Sequence, residues 1–233
     1  MTVAQKGERL GRLLSVVSEE KTDGIEVDVA FIERKGKIHS DLTIGAATTS
    51  AIPLKSNDRI CSRGVQLIGA GFILEQVQAE ILGYRNNDSI SNCIKLYRNG
   101  KDFTGLVRQF FVIDLFGLTE KEVRSQFPEI YQWVLARVKP ERDHNKRDSY
   151  KNNWWLHGEQ RTELRKALTG LKRYITTPAT AKHRVFQFYD IAILPDDALI
   201  NVASDNAFDL GVLSSNIHVY WALATGGDLG GNT

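Results

Sequence analysis

From residue 24 to 37, apolar and polar positions alternate with a period of two. Ile25, Val27, Val29 and Phe31 fall on one side of the chain and polar or small residues on the other. That period belongs to a strand with one buried face. A strand or hairpin is therefore predicted here, with Arg34-Lys35-Gly36-Lys37 as its turn. Residues 39–64 hold no helical period and are rich in Ser, Thr, Ala and Asp, so they read as a connecting segment. Residues 64–74 then place Val65, Leu67, Ile68, Phe72 and Ile73 around glycines, as in a buried strand with a tight turn. The run Ile94-Lys95-Leu96-Tyr97-Arg98 leads into Asn99-Gly100, a strong turn signal, and residues 110–116 read as a central strand.

The period changes to that of helices after residue 118. Thr119 and Glu122 have the spacing of a capping box, and Pro128 after Phe127 restarts a helix. Phe127, Ile130, Val134 and Val138 recur at helical spacing with Tyr131 and Leu135 beside them, which makes a core-facing stripe. A further helix is predicted over residues 159–168, ended by Gly170. Residues 173–175, 185–189 and 198–202 read as strands, with Leu194-Pro195-Asp196-Asp197 as a turn, and residues 213–224 as a last helix before Gly226-Gly227. Short strands mixed with helices in no strict alternation predict an α+β fold: a mixed, largely antiparallel sheet with several packed helices.

Composition narrows the class. A chain of 233 residues with 42% hydrophobic and 25% charged residues can bury a sizeable core. No apolar run approaches the roughly 20 residues that span a bilayer, and no signal peptide opens the sequence. Cys61 and Cys93 are far apart without metal-type neighbours, which fits small core residues in a reduced, cytoplasmic setting. The net charge of +2 conceals an uneven distribution. Residues 137–184 carry thirteen Lys and Arg against five Asp and Glu, or +8, which leaves −6 for the remainder. Clustering of this kind suits a phosphate backbone, although a solvated helical surface has the same composition.

Enzymatic motifs are missing: no P-loop, HExxH, CxxC or GxSxG occurs. Gly69-Ala70-Gly71 follows an apolar run, but Leu74 stands where a dinucleotide loop needs its third glycine, and Asp88 sits in a polar loop. Adjacent Asp196 and Asp197 read as turn residues. The sequence does offer KPERDHNKRDSYKNNWWLHGEQRTELR, residues 139–165. Lys and Arg here can neutralise phosphates, and Asn or Gln can pair with base edges. Trp154-Trp155 can stack on a base or anchor a core. A strand beginning near Lys182-His183-Arg184 would put Lys182 and Arg184 on one face, as readers of bases or phosphates or as an ordinary strand end.

These stretches resemble the C-terminal target-recognition region of MmeI-like (type IIL) restriction-modification enzymes and related adenine-specific DNA methyltransferases. The resemblance rests on Leu67-Ile68-Gly69-Ala70-Gly71-Phe72, Tyr97-Arg98-Asn99-Gly100-Lys101-Asp102, and the block Val138-Lys139-Pro140-Glu141-Arg142. Trp154-Trp155, Arg161-Leu164-Arg165, Lys182-His183-Arg184, Gly211-Val212-Leu213-Ser214-Ser215 with His218 and Trp221, and Ala224-Thr225-Gly226-Gly227 follow in order. Together they cover roughly residues 55 to 227.

Complete members of that family carry a nuclease and a methyltransferase domain that binds S-adenosylmethionine (SAM) and acts on adenine N6 through an Asn-Pro-Pro-Tyr/Phe motif absent here. They also continue past the Gly-Gly pair, whereas this sequence ends at Thr233, so it reads as an excised domain or split-gene fragment. Residues 1–54 are then an N-terminal strand and linker to the methyltransferase domain, and residues 55–233 a DNA target-recognition domain. The implied function is sequence-specific recognition of double-stranded DNA, with no catalytic centre, metal or cofactor in this chain. Phosphates fall to Arg142, Lys146, Arg147, Lys151, Arg161 and Arg165, and base reading to Lys182, His183, Arg184, Asn145 and Asn153. Five to eight such contacts predict a log–log salt slope of about −4.5 to −7. The alternatives are a protein-interaction fragment and a self-contained SAM-dependent transferase.

Overall fold

The computed structural model describes residues 9–21, 27–39, 42–45, 51–181 and 183–225. They divide into two compact units, Leu54–Val219 and the stretches that flank it. Among the described residues no helix is long and apolar enough to cross a membrane.

The flanking unit is built on a ribbon of β1 (Gly11–Lys21) and β2 (Val27–Gly36), antiparallel, with a bulge between Val16 and Ser18. Residues 27–36 form the expected strand, but the turn expected at Arg34-Lys35-Gly36-Lys37 does not form: Arg34, Lys35 and Gly36 lie inside β2 opposite Leu13, Arg12 and Gly11, and the strand pairs with the preceding β1. Alternation assigned Val27 and Phe31 to a core face, yet they are 47% and 53% exposed. Two strands supply no second layer, so period-two patterning has nothing to be buried against within the ribbon. Ile25 lies outside the described residues.

The larger unit holds two four-stranded sheets. One runs β3-β10-β7-β8, all antiparallel: β3 (Cys61–Arg63), β7 (Arg173–Pro178), β8 (Gln187–Asp190) and β10 (Leu199–Val202). The other runs β4-β6-β5-β9: β4 (Ile73–Glu75), β5 (Ile94–Arg98), β6 (Phe110–Ile113) and β9 (Ile193–Pro195). Its β5–β9 pair is parallel and the rest antiparallel. The turn after β9 carries the chain into β10, and so from one sheet to the other. The helices are α1 (Gln76–Ile81), α2 (Asp88–Cys93), α3 (Gly100–Thr104), α4 (Glu120–Gln126), α5 (Pro128–Arg137), α6 (Lys139–Asp143), α7 (Asp148–Asn152), α8 (Thr162–Leu168), α9 (Ala207–Leu213) and α10 (Asn216–Thr225). The fold is α+β with mostly antiparallel sheets.

The main core lies between the second sheet and α5. The stripe Ile130, Val134 and Val138 is fully buried against Phe72, Leu74, Val112 and Ile113. Each such side chain contributes about 1.5–3 kcal/mol on leaving water. The capping box at α4 is present, since Thr119 Oγ1 accepts from Glu122 N (3.3 Å) and Glu122 Oε2 from Thr119 N (2.7 Å).

Two expectations fail for local reasons. Asn99-Gly100 does not close a hairpin: Asn99 caps α3, its Oδ1 accepting from Lys101 N at 3.0 Å while Asp102 returns a bond to Asn99 N. Asparagine favours turns and N-caps through the same side-chain acceptor, so sequence spacing could not separate them. Residues 64–74 are largely buried, apart from exposed Ala70, but form no continuous strand. Ile68 adopts a left-handed φ of 49°, which breaks any ladder. A side chain at Gly71 would put its Cβ 2.7 Å from the carbonyl carbon of Arg137, so the glycines serve close approach to α5 and not a phosphate loop.

Candidate functional site

Arg142 fixes the geometry of the basic stretch. It lies in α6, fully buried, and its guanidinium donates to the carbonyls of Leu67 (2.9 Å), Leu156 (2.7 Å) and Tyr150 (3.4 Å). Its ring neighbours are Phe72 and Tyr150, and burial lowers its pKa. The three carbonyls come from the segment that precedes β4 and from both ends of the segment 150–156, so one side chain ties these backbones together. A guanidinium suits this task because its donors fan out in a plane and stay charged. This corrects its assignment to a phosphate, which it cannot reach from the interior.

Residues 145–153 project from that anchor. Asn145 Oδ1 accepts from Arg147 N (3.0 Å) and so forms a turn, which leaves its amide NH2 uncommitted among the described residues. Lys146 is exposed and has no ion pair among the described residues. Arg147 is exposed, with one donor on the Tyr150 hydroxyl (2.7 Å). Lys151 lies a loose 4.0 Å from Asp148. Asn153 is exposed and donates to Ser149 O (3.1 Å), leaving its carbonyl oxygen open. Lys139, in contrast, is held by Asp143 at 2.6 Å. Tyr150 and Trp154 are buried beneath this face, and Trp155 donates its indole N–H to Leu118 O (3.0 Å). Both tryptophans are therefore core anchors, and neither presents a stacking platform.

The remaining candidates separate into different places. Arg165 is turned inward, bidentate to Asp114 at 2.8 and 3.0 Å, with its Nε on Gln160 O and its guanidinium over Phe116. Burial would raise the Asp114 carboxyl, but the charge and hydrogen bonds of Arg165 outweigh it and hold the pKa below the carboxylate range. Arg165 is thus a structural ion pair, a second correction to the phosphate set. Asp114 and His157, which the sequence did not single out, complete this interior group. His157 Nε2 donates to Ile113 O (2.8 Å), which leaves Nδ1 unprotonated 4.0 Å from Asp114. Arg161 precedes α8 in a left-handed conformation, φ 54° and ψ 53°, with Nε on Gly64 O (2.9 Å).

His183 is exposed on the connection between β7 and β8 and lines a cleft of about 650 Å³ with Lys101 and Thr104. Arg184 is half-buried, 3.5 Å from Ala181 O. Since β8 begins only at Gln187, the expected strand alternation at residues 182–186 does not occur; Lys182 lies outside the described residues. No hydrogen bond or ion pair joins His183 or Arg184 to residues 145–153 among the described residues. Nor does any group of three His, Cys, Asp or Glu suited to a metal occur among them.

No protein-family model matches the sequence, and no curated protein matches it. Among solved structures the chain is similar to the type IIL restriction-modification enzyme MmeI, determined in complex with DNA, with a TM-score of 0.63 and 17% sequence identity. The similarity covers 93% of this chain and 28% of the MmeI chain, so this chain spans little more than a quarter of that enzyme's length, and what the two share is a fold.

Proposed function

We propose that the chain is a module for sequence-specific recognition of double-stranded DNA, belonging to a SAM-dependent DNA adenine methyltransferase or restriction-modification enzyme. In this reading residues 55–233 read the DNA, and SAM and catalysis belong to a methyltransferase domain of the parent protein, joined through residues 1–54 and working in the cytoplasm. The observation that carries it is the set of exposed Lys146, Arg147 and Asn153 and half-exposed Asn145 and Lys151 on a segment pinned by a buried arginine. Cations position phosphates and amides read base edges, and both need a rigid base to keep register. The likeness to an enzyme solved with DNA supports the same reading. His183, Arg184 and Lys182 serve as further base readers.

With Arg142 and Arg165 turned inward, Lys146, Arg147, Lys151 and Arg161 remain for phosphates. Four contacts predict a log–log salt slope of about −3.6. Fluorescence anisotropy with random-sequence duplex DNA at several salt concentrations measures it, and a folded sample with no salt-dependent binding overturns the proposal.

A second reading, a protein-interaction module, is favoured by exposed apolar residues of α9 and α10: Phe208 (72%), Ile217 (83%) and Tyr220 (74%). Self-association in static light scattering supports it, and a clean monomer counts against it.

A further inference from the structure

Arg59 and Arg63 meet the sequence-distant Arg161 where β3 lies beside α8. Arg59 precedes β3, Arg63 ends it, and Arg161 caps α8. Arg161 Nε donates to the carbonyl of Gly64, the residue after Arg63 (2.9 Å). Arg63 Nη1 donates to Asp197 O (3.4 Å); burial and Asp196 raise the Asp197 carboxyl against the opposing charges of Arg63 and Arg161. Arg59 Nη1 lies 3.9 Å from Glu163 Oε2, in the first turn of α8.

The corner is tightly built. A Cβ at Gly64 would sit 2.2 Å from the carbonyl oxygen of Pro195. Arg59 and Arg161 both hold left-handed backbone, φ 61° and 54°, at a cost of roughly 1–2 kcal/mol each for an L-residue. Conformations of that kind persist where surrounding structure over-determines them, and they concentrate at binding sites.

Each guanidinium also keeps free donors. Arg161 has both terminal nitrogens unbonded, and Arg63 its Nε and Nη2, among the described residues. Arg59 makes no hydrogen bond among the described residues. Its ion pairs, to Asp58 at 3.6 Å and to a Glu163 that Lys166 holds at 2.9 Å, are long, and its side chain is 75% exposed. Exposed pairs of this length contribute little and exchange readily for a better anion. Planar guanidinium groups with two free N–H edges match the oxygens of a phosphodiester.

We infer that Arg59, Arg63 and Arg161 form a second phosphate-binding cluster, separate in sequence from residues 145–153, that holds the backbone of duplex DNA. The inference rests on the DNA-recognition reading. Arg59 and Arg63 add two contacts to the four above, which takes the predicted salt slope of the full chain to about −5.4.

The test is the anisotropy titration with random-sequence duplex across salt concentrations, on the full chain and on R59Q/R63Q. The double variant is expected to shift the slope by about 1.8, back to about −3.6, and to lose affinity equally for all sequences. R59K/R63K retains the slope because the charges remain, and K121Q/R124Q, an equal charge loss on α4, leaves it where it is. R59Q alone, at a side chain without hydrogen bonds, gives half the shift and guards against a misfolded double variant. A double variant that binds with the wild-type slope overturns the cluster alone. An equal shift in K121Q/R124Q overturns it too, since net charge would then be the cause. A folded wild type that ignores duplex DNA removes the parent reading and the cluster with it.

Discussion

At the scale of single residues, the interior is held by polar groups as well as by the apolar core. Replacing Arg142 with Met fills similar space but leaves the carbonyls of Leu67, Leu156 and Tyr150 without their charged donor. Hydrogen bonds from a charged group contribute about 1.5–3 kcal/mol each, so Arg142→Met should cost at least about 3 kcal/mol, read as a lowered urea midpoint at constant slope. His157 gives a pH signature. Burial, with Arg165 and Arg142 nearby, lowers its pKa below the ordinary 6.5, against the pull of Asp114. The unfolded chain therefore binds a proton more readily than the folded one. Stability from the neutral ring is full above about pH 6.5 and falls as the pH drops below it. His157→Gln keeps a donor for Ile113 O and should flatten melting temperature against pH just below 6.5, whereas the wild type should decline there. Asp114, lowered from 3.8, adds a separate loss at more acidic pH.

At the scale of elements, the legible ones are those whose signal is local. The stripe of α5 and the capping box of α4 follow from spacing alone, and both form as read. β5, β6 and β10 also fall close to their predicted positions. Helices of five or six residues, such as α1, α6 and α7, carry too few turns to show a period. Asn99 shows how one side chain serves two ends: it caps α3 and its Oδ1 also accepts from Arg108 Nη2 (2.9 Å), beside the Asp102–Arg108 pair. Asn99→Ala should thus cost more than the roughly 1 kcal/mol of an ordinary cap, and Thr119→Ala at α4 should cost about that amount. Thermal melts of the two variants check the order.

At the scale of the whole molecule, the charge excess of residues 137–184 does not form one surface. Arg142 goes to the interior, Arg165 to a half-buried ion pair with Asp114, Arg161 to the corner beside β3, and Lys146, Arg147 and Lys151 to an anchored face. K146Q/K151Q should therefore reduce the salt slope of duplex binding by about 1.8, while a neutral replacement at Arg165 should act mainly on stability. What the sequence determined by itself was the α+β class, the core stripe, the capped helices and the presence of a basic region, because each rests on residues within a few turns of one another. What tertiary structure decided was which cations are free. An arginine's fate depends on whether a carbonyl or carboxylate from a distant segment reaches it, as Leu67 O reaches Arg142 and Asp114 reaches Arg165. The meeting of Arg59 and Arg63 with Arg161 has the same origin: β3 and α8 are neighbours only in the folded chain.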